Sequence, residues 1–124
     1  MSADVERLTA DSGVLIGVRG RAVPGDRFAS LFLRFKAGTL KLACDDDTDE
    51  IIVSVIDGDV GESDVRHGAL ADLDGLTLEY AWELRNHRGY VDGFQVRLRD
   101  GHGREETLQF EVGASAIDVR RVVR

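Results

Sequence analysis

"LTLEYAWEL", residues 76–84, sets a large apolar side chain at every second position. Leu76, Leu78, Tyr80, Trp82 and Leu84 share one side of an extended chain, and Thr77, Glu79, Ala81, Glu83 and Arg85 share the other. A side-chain period of two is that of a β-strand with one wet face. The same rhythm runs through Phe94, Val96 and Leu98, then through Leu108, Phe110 and Val112, with Gln95, Arg97, Arg99, Gln109 and Glu111 facing away. Strands wetted on one face only belong to antiparallel sheets.

Turn signals place the connections. "NHRG" (86–89) and "DGHG" (100–103) are tight hairpin turns, with glycine supplying the positive φ they need. Gly93, inside a strand, predicts a β-bulge. Upstream, "VPGDR" separates strands near 14–22 and 27–35, and "KAG" (36–38) leads into strands near 39–44 and 51–56. A last strand is expected near 115–123. Helix is scarce: "DVRHGALADLD" (64–74) predicts a short one between an N-cap Ser63 and a terminator Gly75, and residues 3–9 a weaker one. The expectation is a mainly β, single-domain (1–124) antiparallel meander of about eight strands, as a curved sheet or barrel, with one short crossover helix.

A chain of 124 residues, 43% hydrophobic, buries a core without staples. Its one cysteine, Cys44, allows no intrachain disulfide, and its position at a strand end predicts a buried small apolar residue. The lack of a signal-like N-terminus or a spanning apolar run predicts a cytoplasmic protein with no membrane partner. The net charge of −7 is concentrated. Nine acids and no base lie between Lys41 and Arg66, leaving fourteen acids against sixteen bases elsewhere. Such a segment repels nucleic acid, so no nucleic-acid partner is expected, and it attracts a basic surface.

Its densest part is "DDDTDE", with Asp45, Asp46, Asp47, Asp49 and Glu50. The spacing opens like a calcium loop but fails where that loop needs glycine (Glu50) and a bidentate carboxylate (Ile56). The second acidic group, 57–63, is expected at the far end of a strand roughly 17–20 Å long. No metal or other cofactor is therefore expected. His67, His87 and His102 lack zinc-ligand spacing, Ser115 lacks a nucleophile elbow, and no phosphate loop is present. No catalytic residue is assigned, and the reading leans away from an enzyme.

The hairpin "WELRNHRGYVDGFQ" holds Trp82, Asn86, His87, Tyr90 and Asp92 as candidates for a pocket, with Asn86 and Asp92 also suited to bonding turn amides. Its pattern, W-E-L-x-N-x-x-G-Y-x-D-G-x-Q, resembles a family of small bacterial proteins whose domain has no known function. That family also has an acidic T-D-E segment leading into a strand, as Thr48, Asp49 and Glu50 do, and carries paired glutamines where His87 and Arg88 stand. The resemblance implies a bacterial cytoplasmic protein and no particular activity.

The functional expectation is a non-enzymatic protein-binding domain, in concrete form an inhibitor or immunity-type protein. Asp45, Asp46, Asp47, Asp49 and Glu50 would contact a basic partner protein, with Asp57 and Asp59 secondary. The alternative is a small-molecule or divalent-ion binding β-barrel, in one version an enzyme, using Trp82, Asn86, His87, Tyr90 and Asp92. A third is a homo-oligomer built through a sheet edge.

Overall fold

A computed structural model of the chain describes residues 3–10, 13–25, 27–45, 47–56, 65–66 and 68–122. An N-terminal helix α1 (Ala3–Ala10) precedes β1 (Leu15–Val23), β2 (Arg27–Phe35), β3 (Gly38–Asp45) and β4 (Glu50–Ile56). After a two-residue β5 (Val65–Arg66) and a 3-10 turn (Gly68–Leu73) come β6 (Thr77–Arg85), β7 (Val91–Arg99), β8 (Glu105–Gly113) and β9 (Ala116–Val122). The architecture is mainly β and antiparallel, as expected, with the sheet curled into a half-barrel.

The curl centres on β2. One edge of this strand pairs with β1 along its length. The other pairs with β3 from Ser30 to Phe35 and then, at Phe28, with Ile117 of β9. One strand thus feeds two diverging neighbours, and the sheet must bend there. The order β4-β3-β2-β9-β8-β7-β6 follows. A bridge from Val14 to Thr77 draws the start of β6 back onto β1, reinforced by Leu15 N–H donating to Leu76 O (2.8 Å) and Leu78 N–H to Gly13 O (3.0 Å).

The enclosed face carries the core. Phe94 and Phe110 lie opposite each other on β7 and β8 and are fully buried with Val96, Leu98 and Leu108. Complete burial of each such side chain stabilises by about 1.5–3 kcal/mol. Helix α1 packs against both β6 and β4 and adds Val5 and Leu8 to this core. No helix among the described residues is long and apolar enough to cross a membrane.

Three details depart from the periodicity. In β6 the register shifts between Leu78, paired with Leu98, and Tyr80, paired with Arg97. The extra residue inverts the phase of the strand, since a one-residue slip moves every later side chain to the other face. Ala81 and Glu83 then lie opposite the core residues Val96 and Phe94, while Tyr80 and Trp82 lie opposite Arg97 and Gln95 on the outer face. Tyr80 is 53% exposed and Ala81 8%, the reverse of the expected alternation. Second, among the described residues the crossover holds no α-helix: Val65 and Arg66 pair with β1, and 68–73 coil as a 3-10 turn ended at Gly75 with φ +93°. Ser63, the expected N-cap, lies outside the described residues. Among the described residues the α-helix is the N-terminal segment, where the weaker signal stood. Third, Cys44 is half-buried, on the core side of β3 opposite Ile51.

Candidate functional site

The acidic turn joins β3 to β4 and closes at the pair Asp45–Glu50. Its carboxylates organise it from within and fasten it outward. Asp45 Oδ1 accepts the Asp47 amide (2.9 Å), an Asx turn, and Asp49 N–H donates to Asp45 O (2.8 Å). Asp49 occupies the left-handed region at φ +55°, which short polar side chains tolerate best. Its Oδ1 accepts the Ser115 amide at 2.9 Å, across to the turn between β8 and β9. Glu50 Oε2 accepts the Val91 amide at 3.0 Å, across to the start of β7.

The β8–β9 turn needs that support. Ala114 and Ser115 both have positive φ, 49° and 61°, which places two non-glycine residues in a primed hairpin turn. Arg27 holds the same turn from β2, donating to Gly113 O and, at 3.3 Å, to Ala116 O, while its Nε reaches Asp118 at 2.9 Å. Of the five acids expected to meet a partner, Asp45, Asp49 and Glu50 are thus engaged with this chain. Asp47 is exposed, and Asp46 lies outside the described residues, as does the group at 57–63.

The clamped turn lies beside a notch of about 210 Å3 lined by Leu84, Asp92, Gly93, Gln109, Glu111 and Val112. Gly93 makes room for it. A Cβ there would stand 3.1 Å from Leu84 Cδ1 and 3.3 Å from the Phe110 carbonyl oxygen. The expected bulge occurs at this point, between Leu84–Gly93 and Arg85–Val91. A polar chain crosses the outer face beside it: Gln95 donates to Gln109 Oε1 (2.5 Å), Gln109 to Glu111 Oε1 (2.5 Å), and Arg120 pairs with that same carboxylate. One rim of the half-barrel therefore gathers carboxylates from three places in the chain: the 45–50 turn, β7 and β8.

The five pocket candidates do not converge. Asn86 Oδ1 caps its own turn, accepting the amides of Arg88 (2.9 Å) and Tyr90 (3.2 Å). His87 and Tyr90 are exposed, and Trp82 stands on the outer face opposite Gln95. Asp92 lines the notch. Asp100, rather than Asp92, bonds the amides of a hairpin turn, those of His102 (2.7 Å) and Arg104 (3.0 Å). The notch residues Leu84, Gln109, Glu111 and Val112 were not singled out by the sequence, although Gln109 and Glu111 alternate outward on one strand and so share a face.

The opposite rim mixes arginines with acids. A shallow cavity of about 520 Å3 there is lined by Thr77, Arg99, Asp100, Gly101, Gly103, Arg104 and Glu105. Hydrogen bonding by Arg121, seconded by its charge and by Arg104, holds the Asp72 carboxyl below the usual carboxylate range. The His102 and Arg104 amides do the same for Asp100. Among the described residues, no group of three histidine, cysteine or acidic side chains is placed to hold a metal ion.

Fold and site together define a curled antiparallel β protein with one carboxylate-rich rim. The chain belongs to a family of unknown function, DUF6334, whose model matches residues 1–124. No curated protein and no solved structure matches it.

Proposed function

We propose that this protein is a non-enzymatic binding domain whose acidic rim receives a basic protein surface, as an inhibitor or immunity-type protein would. The supporting observation is the clamping of the 45–50 turn by Asp49 and Glu50 onto Ser115 and Val91. It fixes the Asp49 and Glu50 carboxylates onto the β8–β9 turn and the start of β7, next in sequence to the strands that carry Glu111 and Asp92, before any partner arrives. Preorganised charge of one sign accelerates encounter with the opposite sign and suppresses wrong partners. The cytoplasm of a bacterium is the setting this reading assumes.

The test removes charge while keeping hydrogen-bond acceptors. Asp45, Asp46, Asp47 and Asp49 are changed to Asn and Glu50 to Gln, so that the amides of Asp47, Ser115 and Val91 keep their oxygen partners. Affinity capture from the native cell, at low and high salt, is compared between this variant and the wild type. A basic protein recovered by the wild type, lost at high salt and lost by the folded variant, is the expected result. Recovery indifferent to both charge and salt would refute the reading.

A further inference from the structure

We infer that the notch floored by Gly93 receives a single arginine side chain of the partner. The inference rests on the reading of the rim as a binding surface and names its central contact. Its basis is the shape and lining of the cavity, not the number of acids nearby.

At about 210 Å3 the notch is smaller than a pocket for a cofactor or drug-sized ligand, which runs from about 300 Å3. One side chain fits it. The two apolar walls, Leu84 and Val112, suit a methylene stem, which long basic side chains bury readily while their charge stays at a polar site. The polar lining holds two carboxylates, Asp92 and Glu111, beside a Gln109 amide whose oxygen already accepts from Gln95. Among the described residues the Asp92 carboxylate carries no hydrogen bond or ion pair, whereas Glu111 already receives Gln109 and Arg120 on one oxygen and keeps the other free. A cationic occupant would pair with the half-buried Asp92 carboxylate, which a neutral one would not. A guanidinium, planar and with five donors, can serve two carboxylates at once. Arginine is also enriched among the few residues that dominate interface energies when they fill a central pocket.

The glycine is part of the device. Any larger residue would put its Cβ against Leu84 and the Phe110 carbonyl and fill the floor.

The probe is capped arginine (N-acetyl-arginine methylamide), titrated into the 15N-labelled protein and followed by amide chemical shifts. Capped norleucine, of similar stem without the charge, is the control. Saturable shifts confined to Asp92, Gly93, Gln109, Glu111 and Val112 are expected for arginine and absent for norleucine. Asp92→Asn should weaken binding about ten-fold, as loss of a charge-assisted hydrogen bond does. Gly93→Ala should abolish it. Equal shifts from norleucine, or binding unchanged in Asp92→Asn, would overturn the assignment; because that variant changes no core contact, the test survives misfolding of Gly93→Ala. A hexa-arginine peptide separates the two levels. Shifts spread over the 45–50 turn with none in the notch would refute the notch and leave the rim reading standing, whereas no salt-sensitive shift anywhere would sink both.

Discussion

Asp49 belongs to the densest acidic run of the chain, yet its geometry makes a stability prediction that has nothing to do with a partner. Asp49→Ala removes two things. It removes the acceptor of the Ser115 amide, worth about 0.5–1.5 kcal/mol for an ordinary hydrogen bond. It also places a Cβ without a polar side chain at φ +55°, where the left-handed conformation costs about 1–2 kcal/mol. The sum is about 1.5–3.5 kcal/mol. Asp49→Asn keeps both an acceptor oxygen and a residue that tolerates this conformation, so it should stay within about 0.5 kcal/mol of wild type. Reversible urea unfolding at pH 7, followed by tryptophan fluorescence from the single Trp82, measures both. The expected order is wild type, then Asn close behind, then Ala well below. Asn as destabilised as Ala would show that charge, not acceptor and backbone, governs the position, and an unaffected Ala would remove the clamp altogether.

Other consequences can be measured in the same way. The phase inversion in β6 predicts that Tyr80→Ser changes stability by less than about 0.5 kcal/mol, whereas Ala81→Asp, which buries an unpaired charge, costs more than about 3 kcal/mol in urea unfolding. Phe110→Ala, emptying the centre of the core, should cost about 3–5 kcal/mol by the same assay. Because Asp72 and Asp100 have carboxyls depressed in the folded state, their contribution is complete above the unfolded value near 3.8 and is lost as pH falls below it through the folded values. Asp72→Asn with Asp100→Asn should therefore lower the melting temperature at pH 7 and flatten its decline below about pH 4, read by thermal melts across pH.

Much of this architecture is legible in composition and period. Alternation in 94–98 and 108–112 put Phe94, Val96, Leu98, Leu108 and Phe110 in the core, because a half-wet strand has only one way to bury its apolar side. Turn residues fixed the hairpins for an equally local reason: Gly89 and Gly103 take positive φ, which few other residues adopt freely. In β6 the same rule failed. Tyr80 and Trp82 keep the period-two spacing from Leu78, and only the apolar Ala81 between them hints that the phase is inverted, without marking Glu79 as the inserted residue. The bulge is settled by pairing, Leu78 with Leu98 and Tyr80 with Arg97, as β6 must meet both β7 and the start of β1.

The candidate site divides along the same line. That residues 45–50 form an acidic turn followed from the sequence alone, because charge density and strand signals are local properties. What the carboxylates do there did not. Asp49 reaches a turn 66 residues on and Glu50 a strand start 41 residues on, and such long-range hydrogen bonds exist only once β2 has handed its edge from β3 to β9 and bent the sheet. The notch, too, takes its walls from β6, β7 and β8 together. Local chemistry determined the strands, the turns and the sign of the charge; closure of the sheet alone decided which acids hold the fold and which stay exposed.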